Sequence, residues 1–283
     1  MWKEELRRLL LKPLPPFDFH LMARQAELSP WKFDGRGIIR VERIRSGRVI
    51  TIFIESDGTV ISVGFSDLKI SRRDIEDIRE KLEWCLAVSE DLQPFYDLAK
   101  NDKFLRKAVS DVRGYRILCD PTVFEGAVKA ICNQNTSFKM TKIMVRNLVE
   151  KYGGGAFPCP RTLTEASVAG LKECKVGYRA EYIRAISRLD LETLKSTSTE
   201  EARRALLKVK GIGPHTAALI LQRGLRRYDS FFIDLWVRRL MRRLYFNNEA
   251  VSDSDITKYA EQNWGRYRGL ALQYLLMDMK NLM

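Results

Sequence analysis

Apolar residues alternate with polar ones along the first part of the chain and recur every three or four positions along the rest, with the change of period near Ser71. Alternation over residues 37–45, 48–56 and 59–65 predicts three strands. Ser46-Gly47 and Asp57-Gly58 separate them, and Asp-Gly suits a two-residue hairpin turn because it tolerates the positive φ such turns require. Ahead of the strands, the stiff Lys12-Pro13-Leu14-Pro15-Pro16 segment leads into a short helical pattern over residues 17–23. Residues 1–71 are therefore expected to form a small N-terminal α/β subdomain, an antiparallel sheet with at least one helix packed on it.

Past Ser71 the helical period holds over residues 74–86, 92–100 and 103–112. Asp120-Pro121 reads as N-cap and first helical residue, opening a helix over 122–133 that turns Val123, Phe124, Ala127, Val128 and Ile131 inward. A helix over 137–152, a Gly153-Gly154-Gly155 loop and another helix starting near Val176 follow. The expected class is α+β, the sheet subdomain followed by a mostly helical core over residues 72–283.

Composition adds a partner class. Lys and Arg number 49 against 36 Asp and Glu, a formal net charge of +13, which favours polyanions, nucleic acid above all. The five cysteines, Cys85, Cys119, Cys132, Cys159 and Cys174, form no Cys-x-x-Cys, and only His20 and His215 are present. That usage points to a reducing compartment and away from a zinc site. Met1-Trp2-Lys3-Glu4-Glu5 opens with charge, and no run approaches the roughly 18 apolar residues needed to span a bilayer. A soluble intracellular protein is expected, in the cytoplasm with the nucleoid if the source is prokaryotic.

Candidate chemistry lies in two neighbouring stretches. In Leu207-Lys208-Val209-Lys210-Gly211-Ile212-Gly213-Pro214-His215-Thr216-Ala217-Ala218, two glycines one residue apart permit a tight turn, and Pro214 suits the first turn of a following helix. Small residues then let two helices pack closely, giving a helix-hairpin-helix over about 199–225 whose turn amides and helix N-terminus can hold a phosphate. An ordinary αα-hairpin with glycine at its turn fits the same pattern. Next, Phe231-Phe232-Ile233 runs into Asp234, and a helix over 235–246 follows with Leu240, Met241 and Leu244 inward. Asp234 is thus placed as an N-cap, a common use of aspartate, in a positive field that favours its charge. A fixed carboxylate there also suits an oxocarbenium-like transition state.

These two stretches together resemble the helix-hairpin-helix (HhH-GPD) superfamily of DNA base-excision glycosylases, in which the hairpin is followed about twenty residues on by the catalytic aspartate. Phe-Ile-Asp stands here where many relatives have proline or valine before that residue. The resemblance implies a two-lobed helical glycosylase core, a catalytic Asp234 in the segment 229–246, and DNA-backbone contacts from Lys208, Lys210, Gly211, Gly213 and His215. It implies a sodium or potassium ion held by the main-chain carbonyls of Leu207, Val209 and Ile212, with no cofactor needed for chemistry. Bifunctional relatives carry a Schiff-base lysine where this chain has His215, so a monofunctional enzyme is expected. The iron–sulfur cysteine loop of the endonuclease III type is missing, since the last cysteine is Cys174.

Extruding a nucleotide leaves a hole that a side chain must fill. The family's plug follows the helix that here ends in Asn133-Gln134-Asn135, with Gln134 at the position of the endonuclease III glutamine, although three amides in a row also suit a helix end. Gly177-Tyr178-Arg179-Ala180 resembles a segment of 8-oxoguanine and alkylpurine glycosylases, making Tyr178 and Arg179 either strand and base-pocket contacts or packing residues; Trp236 is a further expected base-pocket or strand contact. Trp264 fits the core better than base stacking. The expected partner is double-stranded DNA with a damaged base, bound by a monomer without membrane involvement. Alkylated purines are favoured as substrate; the 8-oxoguanine type and a non-catalytic DNA-binding module are the alternatives.

Overall fold

The structure, a computed structural model, describes residues 8–67 and 69–282; the charged opening at residues 1–5 lies outside the described residues. Five antiparallel strands, β1 (Arg8–Leu11), β2 (Trp31–Phe33), β3 (Ile38–Arg43), β4 (Val49–Ser56) and β5 (Ile61–Phe65), form one sheet in the order β1-β5-β4-β3-β2. β3, β4 and β5 are the three expected from alternation. The Asp57 carboxylate accepts the amides of Thr59 (2.8 Å) and Val60 (2.9 Å), while Gly58 takes a φ of 98°, so the Asp-Gly turn forms for the expected reason. The two edge strands escaped the pattern because they are three and four residues long.

Ile50, Ile52, Ile54, Ile61, Val63 and Phe65 face inward, against α1 (Phe19–Ala23) and against Ile78, Leu82, Cys85 and Leu86 of α2 (Arg72–Leu86). The sheet's core thus includes a helix beyond residue 71. The remaining helices build two lobes, each with its own core. α3 (Gln93–Ala99) and α4 (Lys103–Asp111) begin one lobe. The chain then leaves to build the other from α5 (Val123–Cys132), α6 (Phe138–Gly153), α7 (Pro160–Glu165), α8 (Val168–Glu173), α9 (Arg179–Ile186), α10 (Thr199–Leu207) and α11 (Pro214–Leu225). It returns to complete the first with α12 (Leu235–Tyr245), α13 (Asp253–Trp264) and α14 (Arg268–Leu282). Among the described residues no helix is long and apolar enough to cross a membrane.

α5 is the hub. A Cβ on Gly126 would lie 3.1 Å from the Cα of Gly224, so α5 and α11 approach almost backbone to backbone. On its other face Glu125 takes two hydrogen bonds from the Arg40 guanidinium of β3 (3.1 and 2.8 Å), and Lys129 donates to Glu125 and Asp120 at 2.6 Å each. All four side chains are buried. Burial alone would raise the Glu125 carboxyl, but Arg40 and Lys129 bring it down to about 2. Asp120 is therefore not the helix N-cap the sequence predicted: the Thr122 hydroxyl caps α5 by accepting the Glu125 amide at 3.1 Å. Lys129 attracts Asp120 into the interior, and the shorter Thr122 takes over the cap.

Candidate active site

The segment between α11 and α12 carries the chain from one lobe to the other and ends on Asp234, whose charge reaches His215 at the start of α11. α10 starts in a capping box, with Ser198 and Glu201 each bonding the other's backbone amide. The turn to α11 uses its two glycines differently from the paired role the sequence suggested. Gly211 has a φ of +87°, and a Cβ there would sit 2.3 Å from the Tyr182 ring. Gly213 is extended, with φ −91°, and a Cβ would meet nothing; it is the N-cap of α11, with Pro214 at the first helical position. Only Gly211 is needed for the turn geometry. Gly213 keeps the surface before the helix N-terminus open.

Among the described residues the amides of Gly211 and Gly213 donate to no acceptor, and Lys208 and Lys210 stand exposed on the same turn. The Val209 carbonyl accepts the Ile212 amide at 3.0 Å, whereas those of Leu207 and Ile212 accept no hydrogen bond among the described residues. Two carbonyls with both lone pairs free, and a third with one, fit a weakly bound monovalent cation.

Asp234 caps α12: its Oδ1 accepts the Val237 amide at 2.8 Å and the residue is half-buried. The His215 ring packs edge-on against Phe232, with centroids 4.8 Å apart. Burial lowers the His215 pKa below its ordinary 6.5, although the Asp234 charge pulls it upward. The imidazole is consequently neutral near pH 7, and Asp234 meets no competing cation from it.

Asp234 lines a cleft of about 620 Å³. Its other walls include Leu219, Gln222 and the basic Arg223 of α11, Phe138 of α6, Trp236 of α12 and Gln273 and Met277 of α14, with Asn133 at the end of α5. Trp236, expected from the sequence as a base-pocket or strand contact, lines this cleft with 61% of its surface exposed. Leu219, Phe138, Gln273 and Met277 were not singled out in the sequence, where they read as ordinary helical positions. Gln273 carried the one available signal, an amide within the apolar run of α14. It donates to Gln222 at 3.3 Å, and Gln222 donates to the Ser230 carbonyl at 2.9 Å.

The three amides after α5 separate into distinct roles. Asn133 accepts from the Thr141 hydroxyl at 3.1 Å, and Gln134 donates to the Gly211 carbonyl (2.7 Å) and the Thr216 hydroxyl (2.9 Å). Asn135 is exposed, holds a left-handed φ of 43°, and reaches the Tyr178 hydroxyl at 3.4 Å. Tyr178 is itself exposed, whereas Arg179 is buried, donating to the carbonyls of Gln134 and Val176. Arg179 is thus a packing residue, the second of the two readings given for it, because its guanidinium is turned inward. Trp264 is core, its indole N–H bonded to Asp102 at 3.0 Å.

Residues 128–266, which span the amides, the hairpin and Asp234, match the family model of the HhH-GPD superfamily base excision DNA repair protein. The chain belongs to this superfamily. A curated relative, the probable N-glycosylase/DNA lyase of Methanothermobacter thermautotrophicus, is 25% identical over 93% of either chain. The DNA-3-methyladenine glycosylase of Bacillus subtilis is 29% identical over 54% of this chain and 55% of its own length. Among solved structures, the 3-methyladenine DNA-glycosylase of Archaeoglobus fulgidus superimposes with a TM-score of 0.83 at 28% identity, covering 96% of this chain and 98% of that one. The apo 8-oxoguanine glycosylase/lyase of Clostridium acetobutylicum shares the fold, with a TM-score of 0.78 at 24% identity over 98% and 99% of the two chains.

Proposed function

We propose that this HhH-GPD DNA glycosylase binds double-stranded DNA as a monomer, extrudes a damaged purine, and hydrolyses its N-glycosidic bond without cutting the strand. The observation that carries the reading is the Asp234 carboxylate, fixed on the N-terminus of α12 in the wall of a largely apolar interlobe cleft. As the base leaves, positive charge grows on the deoxyribose. An anion held in such a wall stabilises that charge and can orient the attacking water. The hairpin amides, with Lys208 and Lys210, take the phosphate backbone, and a sodium or potassium ion on the carbonyls of Leu207, Val209 and Ile212 stiffens the turn. Asn135, with Tyr178 beside it, is the wedge that fills the vacated stack; it is the amide of the three that faces solvent with its side chain least committed.

His215 stands where a Schiff-base lysine would be required, which supports base release alone. Alkylated purines are the proposed substrates. A cationic base needs little acid assistance to leave, and the cleft offers Trp236, Phe138 and Met277 as walls, with Asp234 its one acidic and Arg223 its one basic side chain. The Gln273 amide supports a second reading, an oxidised purine such as 8-oxoguanine recognised through hydrogen bonds at its edge. Incubation with duplexes carrying different lesions decides between them. Strand breaks should appear only after alkali, and borohydride should trap no covalent complex; trapping would identify an amine, Lys208 or Lys210 first, as a Schiff-base nucleophile. A protein that binds these duplexes and releases no base would be a binding module.

A further inference from the structure

Both amide hydrogens of Gln134 are already used, on the Gly211 carbonyl and the Thr216 hydroxyl, and its main-chain carbonyl receives the Arg179 guanidinium. Thr216 is 4% exposed. Were Gln134 to swing into a duplex it would surrender both bonds and leave the Gly211 carbonyl and a buried hydroxyl without them, whereas its neighbour Asn135 holds a single long, exposed contact. Asn135 pays no such penalty. The surrounding contacts extend the tie: the Tyr182 ring lies directly beneath Gly211, Tyr178 meets Tyr182 edge-on with centroids 5.7 Å apart, and Asn135 reaches the Tyr178 hydroxyl. The hairpin turn, the loop after α5 and the start of α9 therefore form one connected block.

We propose that Gln134 is a positioning residue that locks the wedge loop to the hairpin, so that seating a phosphate on the hairpin fixes the depth to which Asn135 and Tyr178 reach. A hairpin that rests on the backbone supplies a fixed reference height, and a wedge hung on flexible backbone would lose it. The inference rests on the glycosylase reading for its biological meaning, but its test reads DNA distortion separately from base release.

The probe is a duplex with 2-aminopurine beside a tetrahydrofuran abasic analogue, whose fluorescence rises when a wedge unstacks it. Thr216→Val removes one bond to Gln134 at constant shape, at a buried position. The equilibrium between seated and unseated wedge should shift by about fivefold, the effect of one ordinary hydrogen bond. Gln134→Ala should shift it further, the double variant should match Gln134→Ala, and Thr216→Ser, which keeps the hydroxyl, should restore the wild-type signal. The salt dependence of binding to undamaged duplex should remain that of the wild type. If Thr216→Val matches the wild type while Gln134→Ala loses the signal, Gln134 is itself the wedge and the proposal is overturned; equal losses in the Val and Ser variants overturn it too, by assigning the effect to packing. A wild-type protein that unstacks the probe yet releases no base would defeat the glycosylase reading and leave the coupling to be judged by fluorescence.

Discussion

At its start α5 buries Glu125, whose carboxylate meets Arg40 and draws back the ammonium of Lys129 from the last turn; past its far end come Asn133, Gln134 and Asn135, of which Asn135 lies open to solvent. Both ends interrupt an apolar helix with polar residues. The first end is closed: Arg40, Glu125, Lys129 and Asp120 account for one another and join the sheet to the helical lobe. The second is only partly closed, and the unfinished part faces outward. Polarity in a core helix is therefore ambiguous until its partners are counted, and uncommitted hydrogen-bonding capacity is what sets the second end apart from the first.

The largest effect belongs to neither end, and calibrates both. Asp234→Asn keeps the cap on α12 and removes the charge, so single-turnover base release should fall by about a hundredfold or more while lesion binding persists. Undiminished release would move the chemistry elsewhere. Next comes the closed end: Glu125→Ala leaves Arg40 and Lys129 short of an anion and should destabilise the fold by about 3–5 kcal/mol in urea unfolding. Asn135→Ala, at a left-handed φ that asparagine tolerates better than alanine, should cost only about 1 kcal/mol of stability and lose activity, more on paired lesions than on mismatched ones. Equal stability losses would erase the contrast.

Smaller still is a pH effect. Because the His215 pKa is held below 6.5, its protonation begins only in acid, where an imidazolium beside Asp234 would offset the carboxylate's field. Base release should decline as pH falls below that value, and His215→Gln should remove that part of the decline; an identical acid limb in the variant would dissociate it from His215. The smallest effect is at the hairpin lysines. Each of Lys208→Ala and Lys210→Ala should flatten the log–log salt dependence of duplex binding by about 0.9, if each neutralises one phosphate. An unchanged slope would place that lysine away from the backbone.

Much of this architecture was legible before the structure. The β3-β4-β5 meander follows from alternation and its turns, and Asp234 sits on α12 where its apolar lead-in placed it. What the sequence hid was committed by distant residues. Asp120 has every local mark of an N-cap, but a lysine nine residues on draws it inside. Arg179 follows a tyrosine at a helix start, and only the carbonyl of Gln134, 45 residues away, explains why it turns inward. The cleft walls at Leu219, Gln273 and Met277 come from helices far apart in the chain, each read alone as packing. Interlobe surfaces carry no periodic signature of their own.

The contact between Gly126 and Gly224 lies near the start of α5 and the end of α11, whereas Gln134 and Thr216 meet at the opposite ends of the same two helices. The helices therefore behave as a pair of tongs whose pivot is two missing side chains and whose tips are the wedge loop and the hairpin. A methyl group at the pivot, as in Gly126→Ala, would fall 3.1 Å from the Gly224 Cα and require a shift of a few tenths of an ångström. At the tips that displacement would change the grip on DNA, so this variant should lose base release out of proportion to any drop in its melting temperature.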